Sequence, residues 1–132
     1  MTQHDVREVQ LGKAAIRAGI QVLLEIARHN QEEIEQVIMA GAFGTYIDVS
    51  SAINLGMLPD LPLERFTQVG NAAGLGARQS LLSVKKRDMA KEIAGRIRYV
   101  ELAGAPGFNK IFIQTQYLGK YRIKNGKREK IP

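Results

Sequence analysis

At 132 residues, with ordinary apolar and charged fractions, the chain can build one domain with a real core and is too short for two. It has no cysteine, which excludes disulfides, iron–sulfur ligation and thiol chemistry by its own residues, and its longest apolar runs are far too short to span a bilayer. The net charge of +6 is uneven: six of the 19 basic residues but one of the 13 acidic ones lie beyond Gly119, leaving the body at +1.

Thr2 followed by Asp5 has the spacing of a capping box and predicts a helix over residues 5–28. Val9, Ile16, Ile20, Leu23 and Ala27 recur as one apolar stripe, the expected core face. Gln10, Lys13, Arg17, Gln21 and Arg28 form a second, polar stripe. That stripe reads as the solvated face or, at its amino-terminal end (Gln10, Lys13 and Arg17), as the lining of a ligand cleft. Gly12, Ala14, Ala15, Ala18 and Gly19 thin the helix, which permits close packing at a cost in propensity.

His29-Asn30 ends this helix, and a polar approach leads into Val37-Ile38-Met39-Ala40-Gly41-Ala42-Phe43-Gly44. An apolar run without polar alternation suits a strand covered on both faces, as in a parallel sheet. Glycines at the carboxyl end of such a strand admit another backbone or a ligand, and ligands of α/β sheets bind at strand carboxyl ends. Phe43 and Tyr46 are placed to wall an aromatic ring or a sugar; a tight turn against a neighbouring helix is the equal alternative. Asp48 or Ser50 then caps a short helix to about Leu55, with Gly56 as its stop and Pro59 beyond.

Residues 66–69 read as a second short strand, ending in Gly70-Asn71-Ala72-Ala73-Gly74-Leu75-Gly76 and a helix to Leu82. No Gly-Lys-Ser/Thr follows, so this is not a P-loop, nor is it a clean dinucleotide fingerprint. Backbone N–H groups at this strand end suit a phosphate or a closely packed helix. Ser83 caps a basic helix to about Ile97, residues 99–102 suggest a third strand, and a helical pattern follows Pro106-Gly107 through Leu118. Past Gly119, Asn125-Gly126 gives a hairpin signal with disorder as the alternative, and the basic tail over 119–132 reads as a solvated end or a charged contact. His4 and His29 lack partners at ligand spacing, so neither a metal site nor a catalytic triad is expected. Asp48, Asp60 and Glu64 are explained as caps and turns, and no catalytic residue is assigned.

Several strings together are more specific than any alone: 5–11, 15–20, Ala40-Gly41-Ala42-Phe43-Gly44, Tyr46-Ile47-Asp48, 56–62, Val69-Gly70-Asn71-Ala72-Ala73-Gly74 and 99–102. Over residues 2–118 the chain resembles the carboxyl-terminal domain of the reductive activators of corrinoid proteins. The resemblance implies an α/β fold, a fragment of the ribonuclease-H-like ATPase lobe of acetate and sugar kinases, actin and chaperones. A short, mostly parallel sheet with helices on both faces is expected, with 1–118 as the second half of the lobe. By the same resemblance Gly41, Ala42, Phe43 and Gly44 contact adenosine, Gln10, Lys13 and Arg17 pass beside the adenine, and Gly70 and Asn71 close the cleft or pack their helix.

Such proteins couple ATP, with magnesium, to restoring cob(II)alamin to Co(I) on a corrinoid partner. The first phosphate loop and the iron–sulfur domain of that family lie upstream of the matched segment, so the chain is expected to be a fragment or a split subunit, inactive alone. The alternative is a vestigial module for homodimerisation or for docking to a corrinoid protein. Nucleic acid ranks last as a partner, no membrane contact is expected, and the absence of a signal-peptide pattern points to the cytoplasm.

Overall fold

The computed structural model describes residues 2–124 and 127–130. The chain divides into two compact units, the first made of Met1–Glu35, Asp48–Arg65 and Val100–Pro132, the second of Gln36–Ile47 and Phe66–Tyr99.

The first unit is built on α1 (Gln3–Ala27). Its capping box forms: the Thr2 hydroxyl accepts from the Asp5 N–H at 3.2 Å, and the Thr2 N–H donates to the Asp5 carboxylate at 2.6 Å. Two of the orphan donors of the first turn are thereby satisfied. α3 (Val49–Asn54) is capped by Asp48, which accepts from the Ser51 N–H at 2.7 Å. α6 (Phe108–Thr115) lies on α1, where Ala18, Val22 and Ile111 form the centre of the core. Leu102, Ala105, Phe108, Phe112 and Ile123 close around that centre. The thin Ala14/Ala18 stripe allows α6 to approach closely enough for the Thr115 hydroxyl to donate to the Ala14 carbonyl at 3.2 Å.

Strands β3 (Tyr121–Lys124) and β4 (Lys127–Lys130) pair antiparallel, Tyr121 opposite Lys130. The Asn125-Gly126 turn expected between them lies outside the described residues. Tyr121 is only 4% exposed. Its hydroxyl reaches the carbonyls of Thr115 at 3.2 Å and Gly56 at 3.3 Å, and the Gly119 N–H donates to the Leu55 carbonyl. At Gly56 a side chain would be doubly excluded. Its φ of +74° is left-handed, and a Cβ there would sit 2.6 Å from the Tyr121 ring and closer still to the Gly119 carbonyl oxygen.

In the second unit β1 (Val37–Met39) pairs in parallel with β2 (Phe66–Gln68), Ile38 opposite Thr67. α2 (Gly41–Tyr46) follows β1 directly, while α4 (Ala72–Leu82) and α5 (Val84–Arg96) follow β2. Asn71 caps α4 by accepting from the Gly74 N–H at 2.9 Å, and Ser83 caps α5 through the Lys86 N–H. Neither α4 nor α5 contains a buried residue.

Two expectations are corrected. Residues 99–102 form no strand: Tyr99 is exposed, and Leu102 instead plugs the α1–α6 core and lies against Gly19. A strand needs a ladder partner, and Leu102 is held instead by side-chain packing. The faces of α1 are also exchanged. The polar stripe turns inward, with Lys13, Arg17 and Gln21 buried, while Val9, Ile16 and Leu23 of the apolar stripe remain exposed.

Candidate functional site

The carboxyl ends of β1 and β2 are joined by one backbone bond, the Gly41 N–H donating to the Gly70 carbonyl at 2.8 Å. The Val69 N–H donates to the Met39 carbonyl one step earlier, so the parallel ladder runs to this junction. Gly41 (φ +85°) and Gly70 (φ +62°) both turn in the left-handed region, and open space lies where a Cβ would stand on either. The junction therefore presents bare backbone, the surface a flat ring or a sugar can approach without meeting side chains. Phe43 (65% exposed) and Tyr46 (87%) stand free beside it on α2.

Gly44 has a different role. A Cβ there would come within 3.1 Å of the Met39 backbone, so its glycine lets α2 fold back on β1. The carboxyl end of α2 is held by Gln68, whose side-chain amide donates to the carbonyls of Gly44 at 2.6 Å and Ile47 at 3.0 Å. The Thr45 hydroxyl, donating to the Gly41 carbonyl at 2.8 Å, steadies the other end. Asn71 spends its side-chain oxygen on capping α4. Gly41, Ala42, Phe43, Gly44, Gly70 and Asn71 thus lie together around one strand-end junction of the second unit.

Gln10, Lys13 and Arg17 belong to the first unit. Lys13 (0% exposed) and Arg17 (1%) sit one helical turn apart against the Tyr121 ring, the ammonium 5.0 Å and the guanidinium carbon 5.7 Å from its centroid. The Lys13 ammonium donates to the Tyr117 carbonyl, and the Arg17 Nη2 donates to the Gln31 side chain. Gln31 passes the connection on to the Asp60 carbonyl, and the Asp60 carboxylate pairs with Lys120 at 3.2 Å. The Nε and Nη1 of Arg17 have no hydrogen-bond partner among the described residues. Burial pushes the Arg17 guanidinium down from its ordinary value, and Tyr121 opposes the shift. Gln10 lies nearer the surface: it bonds the Gln116 carbonyl and, with His4 and Arg7, lines an open cleft of about 800 Å³.

Sequence reasoning singled out neither Tyr121 nor Gln68. Tyr121 stands in a stretch whose basic charge suggests a solvated tail, and no local pattern marks it for burial. Gln68 ends a strand, and only the return of α2 supplies its acceptors. Among the described residues no cluster of three His, Asp or Glu side chains could hold a metal ion, and no helix is long and apolar enough to cross a membrane.

The family model described as the C-terminal domain of RACo, the ASKHA domain, matches residues 1–128. The chain belongs to this family. The matched range extends past Leu118, and Tyr121 within it is buried. The chain is 38% identical over 119 residues to the corrinoid activation enzyme RamQ of Eubacterium limosum, covering 90% of this chain and 20% of that one. It is 30% identical over 115 residues to the [Co(II) methylated amine-specific corrinoid protein] reductase of Methanosarcina barkeri, covering 86% and 21%. A solved reductive activator for corrinoid, iron-sulfur protein superposes with a TM-score of 0.81 at 37% identity, over 89% of this chain and 19% of that one. This chain of the RACo C-terminal domain family therefore spans about a fifth of the length of the relatives it matches.

Proposed function

We propose that this chain is the carboxyl-terminal part of an ATP-dependent reductive activator that returns cob(II)alamin on a corrinoid protein to Co(I), and that it supplies the adenosine side of the nucleotide site. The observation that carries the reading is the family match over residues 1–128. The glycine junction supports it, because Gly41 and Gly70 leave open backbone flanked by the exposed Phe43 and Tyr46. Gly41, Ala42, Phe43, Gly44 and Gly70 are the residues assigned to adenosine, with Asn71 holding the start of α4.

The described residues do not fit a magnesium site, because no carboxylate cluster is present. Phosphate and metal handling is assigned to polypeptide outside this chain. The chain has no cysteine, so an iron–sulfur cluster that delivers the electron is also assigned elsewhere in the longer protein. A corrinoid protein is the partner and the cytoplasm the location under this reading, with no turnover by this chain alone.

Titration with ATP and ADP, read by calorimetry, tests the assignment. Adenosine-dependent binding is expected, weak in this chain and tighter in a full-length relative such as RamQ. Gly41→Val, placed at the aligned position of RamQ, is expected to abolish that binding. Intact affinity in the RamQ variant together with no binding here would sink the site assignment.

A further inference from the structure

α2 carries the aromatic wall of the glycine junction, yet little in its own sequence holds it there. It is six residues long, with glycine at 41 and 44, and too short to persist on its own backbone bonds. Its start has no side-chain cap, Gly44 is its only buried residue, and Phe43 and Tyr46 are exposed. Gln68 supplies the missing restraint. Its side-chain nitrogen donates to the Gly44 carbonyl at 2.6 Å and the Ile47 carbonyl at 3.0 Å, and lies 3.3 Å from the Thr45 carbonyl. An amide nitrogen has two hydrogens, so the longest of these contacts is a shared one. The acceptors belong to the last turn of α2 and the residue that follows it, where carbonyls find no partner within the helix. Their donor stands between 21 and 24 residues further along the chain. Gln68 is exposed and ends β2, two residues before Gly70. One strand end thus provides both the bare backbone at Gly70 and the tie that fixes Phe43 and Tyr46 beside it.

We infer, on the adenosine reading of this junction, that Gln68 is a positioning residue of the site: by holding the carboxyl end of α2 it sets the aromatic side of the pocket before adenosine arrives. Without that tie α2 samples positions that cannot bind, and affinity falls with the fraction of molecules in which it is in place.

Gln68→Met keeps the length of the side chain and removes the donor, whereas Gln68→Lys puts a donor back. In NMR exchange without ligand, Gln68→Met is expected to speed the Ile47 amide, which bonds the Phe43 carbonyl, by roughly tenfold. The Gly41 amide, bonded to Gly70, and the urea midpoint are expected to stay as in the parent. Adenosine affinity, read from shifts of the Gly41 and Gly70 amides, is expected to fall about tenfold in Gln68→Met and to return to within about twofold in Gln68→Lys. Parental affinity in Gln68→Met overturns the inference and leaves the adenosine reading standing. A loss of affinity that comes with a lowered urea midpoint, or that lysine does not restore, also overturns it, because Gln68 then serves stability or packing alone. No adenosine binding by the parent chain overturns the inference along with the adenosine reading for this chain.

Discussion

Replacing Tyr121 with alanine removes the ring that covers Lys13 and Arg17 and the hydroxyl that ties α6 to the stop of α3. Truncating a buried aromatic ring costs about 3–5 kcal/mol through lost transfer free energy and the cavity left behind. Two desolvated cations also lose their contact with the ring face, worth up to ~2 kcal/mol each, although water entering the cavity offsets part of this. The expected loss is about 4–5 kcal/mol, a large share of the roughly 7–20 kcal/mol that a chain of this length has in total. Tyr121→Phe keeps the ring and should cost only about 1 kcal/mol, the worth of one hydrogen bond. Ending the chain after Leu118 should be at least as damaging as the alanine substitution, since it removes Tyr121 and Ile123 together. Urea unfolding followed by circular dichroism measures all three, a shift in midpoint at constant slope reporting stability. If Tyr121→Ala and the truncated chain unfold at the parental midpoint, the tail is an appendage and its assignment to the core is wrong.

Arg17→Met tests the buried guanidinium from the other side. Its Nε and Nη1 lack partners among the described residues, so a flexible apolar side chain of similar length should leave stability within about 1 kcal/mol of the parent or raise it, whereas Arg17→Ala should cost ~3 kcal/mol; a loss beyond ~3 kcal/mol for methionine would show that the Gln31 and Tyr121 contacts outweigh desolvation. The helix caps carry a pH dependence. The Ser51 side chain and N–H hold the Asp48 carboxyl below its ordinary value of 3.8, and the Thr2 N–H and hydroxyl do the same for Asp5. The folded state therefore binds fewer protons than the unfolded one in this range, so the contribution is complete above 3.8 and is lost as pH falls through the lowered folded values. Asp48→Asn keeps a capping oxygen and should flatten its share of the acid slope in urea midpoints.

The local elements were legible because their signals are local. Thr2/Asp5, Asp48, Asn71 and Ser83 cap the helices they precede by bonds that span three residues. Gly56 and Gly70 take the left-handed conformations that their positions at a helix stop and a strand end suggested. At the glycine junction of the second unit the turns were legible, because glycine at a strand end is a local signal, whereas the bond that joins Gly41 to Gly70 is long-range and left no local trace. On α1 the candidate site was not legible. There the two stripes compete, and periodicity can find stripes without saying which one meets a partner. The long stems of Lys13 and Arg17 pack well beside Ala14 and Ala18, while Val9, Ile16 and Leu23 would be the natural core of an isolated amphipathic helix.

The sequence by itself determined the helices other than α2, the side-chain caps of α1, α3, α4 and α5, the parallel pair with its glycine ends, the absence of cysteine chemistry, and the family. Tertiary structure alone decided which side of α1 turns inward. That choice is made by Thr115 and Tyr121, about a hundred residues further along, which offer a carbonyl-rich, aromatic surface to Lys13 and Arg17. A contact between groups so distant leaves no trace in local periodicity. It turned a charged stripe into core and left Val9, Ile16 and Leu23 of an apolar one exposed.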